Sequence, residues 1–165
     1  MIRHLHPTLF FLLIGLFLQY CAARPDYPDE PVIEFVSLSK TAMKQSALGP
    51  DSVQVSFNFT DGDGDLGDDT GEPDIFIVDS RDGFSKPSYR IPRIEQQGAG
   101  NGISGVITLV LPTTCCIYVN ANNDTTACQY VPVPLDTLTY LISIRDRAGH
   151  ESNRIETPPI GLICK

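Results

Sequence analysis

Residues 52–59 read Ser-Val-Gln-Val-Ser-Phe-Asn-Phe. Val53, Val55, Phe57 and Phe59 alternate with polar residues without a break. A period of two is what a strand needs when one face is buried and the other meets water. The pattern returns at 136–145, DTLTYLISIR, where Leu138, Tyr140, Ile142 and Ile144 alternate. Shorter apolar runs bounded by turn formers read as further strands: 31–38 (PVIEFVSL), 74–79 (DIFIVD), 88–94, 105–111, 116–119 and 153–163, the last broken by Pro158-Pro159. Residues 129–133 are expected to pair with 116–119 across the turn-rich stretch NANNDTT at 120–126. Residues 39–48 (SKTAMKQSAL) fit one turn of helix or a loop. No other stretch beyond the N-terminal run has a helical period, and there is no internal repeat. The expected fold is all-β, an antiparallel two-sheet sandwich of roughly seven to nine short strands over residues 32–165.

Residues 135–152, LDTLTYLISIRDRAGHES, sharpen this. They resemble the sixth strand and following loop of fibronectin type III and other immunoglobulin-like domains. The resemblance makes Tyr140 the corner tyrosine, its hydroxyl bonding back to the chain upstream. It puts Ile142 where an inter-sheet cysteine would stand, so the usual disulfide is absent and the cysteines must staple something else.

The N-terminus gives an address. Arg3 precedes an uninterrupted apolar run from Leu9 to Leu18. That run is too short to span a bilayer as a helix but fits the core of a secretory signal, residues 1–20. Leu18-Gln19-Tyr20-Cys21 resembles the lipobox of bacterial lipoproteins, which implies lipidation at Cys21, although Tyr20 stands where a small residue is usual. The rival reading is ordinary cleavage after Cys21-Ala22-Ala23. Residues 21–31, with the Pro- and Asp-rich RPDYPDEP, read as an extended tether. Together these features resemble small immunoglobulin-like lipoproteins of the Gram-negative envelope. The expected location is therefore exported and membrane-anchored by lipid, periplasmic or at the cell surface.

The cysteines agree with export. Without Cys21, four remain: Cys115, Cys116, Cys128 and Cys164. An even number in an oxidising compartment implies two disulfides. Neighbours on a strand point to opposite faces, so Cys115 and Cys116 do not pair with each other. Two connectivities remain open: 115–128 with 116–164, or 115–164 with 116–128. Charge narrows the partners. The chain carries 20 acidic against 12 basic side chains, net −8. Such a surface repels nucleic acid and anionic lipid.

The acid is concentrated. Residues 60–69 read TDGDGDLGDD, and Asp61, Asp63, Asp65, Asp68, Asp69, Glu72 and Asp74 fall within 61–74. No basic residue lies between Lys44 and Arg81. Unpaired carboxylates at this density repel and raise each other's pKa, and a divalent cation relieves them. Calcium takes six to eight oxygen ligands, with small residues between them so that the backbone can curl. Asp61, Asp63, Asp65 and Glu72 match EF-hand positions one, three, five and twelve, but position six is Leu66 rather than Gly, so an EF-hand is rejected. In an immunoglobulin-like sandwich this loop joins the second and third strands and shares a pole with the 146–152 turn. The expected ligands are Asp61, Asp63, Asp65, Asp69 and Asp146, and the expected ion is a structural Ca2+.

The inventory for catalysis is thin. His150 is the single histidine beyond the N-terminal run, and it lies in an expected solvated turn. Ser104 lacks the GxSxG setting, and there is no phosphate loop or dinucleotide fingerprint. The expectation is a non-enzymatic scaffold or protein-interaction module. The alternative is a glycan-binding module, for which Tyr89, Tyr118 and Tyr130 would have to form an exposed aromatic platform.

Overall fold

The computed structural model describes residues 26–47, 49, 51–69, 71–85, 89–95, 102–128 and 134–164. The signal, Cys21 and the strand expected at 129–133 lie outside the described residues. All regular structure among the described residues is strand: β1 (Val32–Leu38), β2 (Ala42–Lys44), β3 (Ser52–Asp61), β4 (Ile75–Asp79), β5 (Ile103–Pro112), β6 (Ile117–Val119), β7 (Thr125–Ala127), β8 (Leu135–Leu138), β9 (Tyr140–Ile144), β10 (Ile155–Glu156) and β11 (Ile160–Ile163).

These form three three-stranded sheets, in the orders β1-β3-β5, β10-β9-β4 and β2-β11-β8, and a β6-β7 hairpin. All pairings are antiparallel except β2 with β11. The expected large sheets are subdivided for local reasons. The alternating run at 135–144 is one line of chain, but Thr139 breaks its pairing, its N–H taken by Ser80 Oγ at 3.0 Å. Pro158 and Pro159, which lack the N–H a ladder needs, separate β10 from β11. The segment expected as a helical turn or loop instead contributes β2, which lies parallel to β11 with Met43 buried. Residues 117–119 pair with Thr125–Ala127 across the Asn120 turn, where Asn120 Oδ1 accepts the Asn122 and Asp124 amides, both at 2.9 Å. Of the strand expected at 88–94, Ser88 lies outside the described residues, and among the described ones only Tyr89 pairs, as an isolated bridge to Ile75.

The alternation that decides the fold is realised. Val53, Val55 and Phe57 are fully buried, and Phe59 nearly so. Ile75 and Ile77 of β4 and Ile142 and Ile144 of β9 are buried in the same apolar cluster. Fully burying each such side chain is worth about 1.5–3 kcal/mol. A single core shared by the β3 and β9 sheets is a sandwich-like arrangement. It places the β3–β4 and β9–β10 connections, the acidic loop and the 146–152 turn, at one end.

Candidate metal centre

The alternations of β3 and β9 each run past their last apolar residue. After Val53, Val55, Phe57 and Phe59, the next core-facing position on β3 is Asp61, which is fully buried. After Tyr140, Ile142 and Ile144, the next position of that parity is Asp146, 6 % exposed. Period two thus carries one carboxylate from each sheet inward at the same pole. The loop then curls back. Gly64 and Gly67 take left-handed φ values of 71° and 82°, which glycine adopts without the Cβ penalty. Leu66 drops into the core and is fully buried, with its N–H donated to Asp61 Oδ2 at 2.9 Å. This is why position six of the EF-hand comparison is not glycine: the residue is an anchor.

The result is a group of four. One carboxylate oxygen from each of Asp61, Asp63, Asp65 and Asp146 lies within 4.8 Å of the others. Asp61 Oδ1 is buried and has no hydrogen-bond partner among the described residues, and the same holds for Asp65 Oδ1. Buried polar atoms are almost always satisfied, so such oxygens call for a partner other than a protein donor, a cation or solvent. Asp146 is oriented by its own turn: Oδ1 accepts the Gly149 and His150 amides, both at 2.7 Å, and Oδ2 pairs with His150 Nδ1 at 2.9 Å.

The electrostatics match. Burial, then the charge of Asp63, pushes the Asp61 carboxyl up to about 7. Burial, then Asp146 and Asp63, raises Asp65, against the opposing pull of Arg147. The hydrogen bond to Asp146, then its charge, raises His150. The carboxylates are groups of one sign held close together in a poorly solvated place, and His150 answers them with the opposite sign. The donors are all carboxylate oxygens. That chemistry suits a hard divalent cation.

Four of the five expected ligands are therefore brought together. Asp69 is not among them: it lies farther along the loop, exposed, and Oδ1 accepts the Arg93 N–H at 3.3 Å. Asp74 turns to the frame, Oδ1 accepting the Ile91 N–H at 2.8 Å. Two basic groups unseen in the local sequence come from the opposite loop. Arg147 donates from Nη1 to the Gly67 carbonyl at 2.6 Å, tying the two loops together. His150, expected to be simply solvated, holds Asp146.

The cysteines take the first of the two open connectivities. Cys115 and Cys128 stand at disulfide distance, Cα–Cα 4.7 Å, across the β6-β7 hairpin. Cys116 and Cys164 do so at 5.9 Å and join that hairpin to the end of β11. Near the same end Arg81 makes an ion network that the sequence reading missed. Its guanidinium bonds the fully buried Asp79 through Nε at 3.0 Å and Nη2 at 2.7 Å, and Asp136 through Nη1 at 2.5 Å. The signal was present: Asp79 continues the inward parity of Ile75 and Ile77. Tyr89 and Tyr118 pack against the core cluster, and Tyr130 lies outside the described residues. Compared with models of known families, with curated proteins and with solved structures, the chain matches none.

Proposed function

We propose that this chain is an exported, immunoglobulin-like domain whose loop pole holds a calcium ion, and that it serves the bacterial envelope as a non-enzymatic scaffold or protein-interaction module tethered by lipid at Cys21. The observation that carries the cation reading is the fully buried Asp61 Oδ1, without a partner and facing three other carboxylates. Calcium takes six to eight oxygens in flexible geometry, and the four aspartates supply at least four of them. The immunoglobulin-like reading is supported by the strand orders. β1-β3-β5 corresponds to strands A, B and E, and β4-β9-β10 to C, F and G. The paired cysteines support an oxidising compartment. Packing of Tyr89 and Tyr118 on the core favours the scaffold over a glycan platform.

Thermal unfolding with calcium, with magnesium and with a chelator tests the cation reading. A ligand specific to the folded state adds about 2.7 kcal/mol at a hundredfold excess over Kd. The expected result is a midpoint several degrees higher in calcium, smaller in magnesium, and abolished by Asp65→Asn. An unchanged midpoint in all three rejects the ion.

A further inference from the structure

The segment leading into β1 is seated on the aspartate loop. Gly62 N–H donates to the Pro28 carbonyl at 2.8 Å. A Cβ at Gly62 would stand 2.3 Å from the Tyr27 carbonyl oxygen and 2.6 Å from that of Pro28. Gly62 is not among the left-handed glycines of this loop, which are Gly64 and Gly67. Its missing side chain is therefore required by the crossing segment and not by the turn. The Tyr27 ring also lies 3.3 Å from a Cβ placed at Gly102, beside β5. Farther on, Pro31 is buried. The backbone of Ile33 is gripped by Asn153, whose Oδ1 accepts the Ile33 N–H and whose Nδ2 donates to the Ile33 carbonyl, both at 2.8 Å.

Residues 27–33 are thus held by two loops, and those two loops carry all four carboxylates of the centre. Gly62 stands between Asp61 and Asp63. Asn153 directly follows the turn that begins at Asp146. Without a cation, carboxylates this close repel, and the loop relieves the repulsion by spreading. Spreading moves Gly62 away from Pro28. With a cation the ligand oxygens are drawn to within about 2.3–2.6 Å of it, which fixes Asp61 and Asp63 and hence the Gly62 seat between them.

We propose that the centre is a latch on the N-terminal segment: filling it seats residues 27–31 against Gly62 and fixes the direction in which the chain leaves the domain. The latch rests on the cation reading above. It gives the ion a task beyond stability, because a domain reached through an extended segment points one way when the junction is stiff and many ways when it is loose.

Amide hydrogen exchange in calcium and in chelator, with the thermal midpoint recorded on the same samples, tests it. Calcium is expected to slow exchange roughly tenfold or more at the Gly62 amide and to protect the amides of Tyr27, Asp29 and Glu30. Gly62→Ala, which places a methyl group in the seat, is expected to abolish that protection while the calcium-dependent rise in midpoint persists. Tyr27→Ala loosens the segment from its other side and is expected to do the same, which covers the case in which Gly62→Ala does not fold. Equal protection with and without calcium, alongside a midpoint that does rise, overturns the latch and leaves the ion standing. An unmoved midpoint with unchanged exchange overturns both.

Discussion

Asp61 and Asp146 are the same kind of residue in the two sheets: each is the next core-facing position after an alternating apolar series, and their carboxylate oxygens lie within 4.8 Å of each other. A strand that has just buried four apolar side chains then buries a charge. That costs stability unless something compensates, and among the described residues no lysine or arginine side chain bonds either carboxylate, Asp146 having His150 alone as an ionisable partner of opposite sign. Both strands accept the cost at one pole, where two further aspartates join them.

Asp61→Asn keeps the shape and removes the charge. In chelator at pH 8 this variant is expected to be more stable than the parent by about 1–3 kcal/mol, since a buried charge without a paired cation is relieved. In calcium the order reverses, because the amide is a poorer ligand. Urea midpoints of the two proteins under the two conditions give the comparison. A variant less stable than the parent in both conditions would mean that Asp61 serves the frame and not an ion.

The pKa shifts predict how the metal-free protein responds to pH. The Asp61 carboxyl moves from 3.8 to about 7, chiefly through burial, and Asp65 and Asp74 rise for the same leading cause. A carboxyl raised in the folded state holds a proton that the unfolded chain has already released. Stability from this source is fully present below the unfolded value and is lost as pH rises through the folded one. His150, raised by Asp146, acts in the same direction at higher pH. In chelator the midpoint is therefore expected to fall between pH 5 and pH 8. In calcium the fall is expected to flatten or invert, as the ion takes the place of the protons. Parallel pH profiles with and without calcium would contradict this.

The Arg81 network is a separate matter from the ion. Asp79 is fully buried and the Arg81 side chain is 10 % exposed. Removing one partner of such a pair leaves a buried charge, which costs about 3–5 kcal/mol. Arg81→Ala is expected to show that loss in denaturant unfolding while its calcium response stays at the parental size. If the variant lost its calcium response while still folded, the two ends of the domain would be coupled.

The two cysteine pairs should differ in what they contribute. Cys116 and Cys164 are 48 positions apart in the sequence, and Cys115 and Cys128 are 13 apart. Loop-closure entropy assigns about 4 kcal/mol to the longer link and about 3 kcal/mol to the shorter. The Cys116→Ser/Cys164→Ser protein is expected to unfold at lower denaturant than the Cys115→Ser/Cys128→Ser protein. Cys116 and Cys164 are also buried, so packing adds to the difference. Peptide mapping without reduction checks the pairing directly, and a 115–164 linked peptide would reject it.

Much of this was legible in the sequence, and the limits have physical reasons. Val53 to Phe59 and Leu138 to Ile144 announce their strands because each has one apolar face. Continuing those alternations by one more step would have marked Asp61 and Asp146 as buried, and Ile75-Ile77-Asp79 would have marked Asp79. Asp69 was misread because charge density along a loop says nothing about which way each carboxylate turns. That is settled by Leu66 dropping into the core and by the left-handed turn at Gly67. The β2 strand was hidden because three residues carry no period; only β11 beside them makes Ala42–Lys44 a strand. The partnerships of Arg147 with Gly67 and of Arg81 with Asp136 join residues distant in the chain, so composition could not reveal them.

Leu66 links the loop to the core, and its replacement separates the two roles of the segment. Its side chain is fully buried, and its N–H holds Asp61 Oδ2. Truncation to alanine leaves the amide in place but removes the anchor that positions it, at a cost of about 2–5 kcal/mol. A purely structural leucine would lower stability equally in calcium and in chelator. An anchor of the metal loop would lower it more in calcium, because the ion then has to pull a loosened loop into shape. For Leu66→Ala the shift in midpoint produced by calcium is therefore expected to shrink, and the calcium concentration needed for half the shift to rise several-fold. A calcium titration followed by thermal unfolding measures both. An unchanged half-saturating concentration would mean that the glycines and Arg147 alone set the loop.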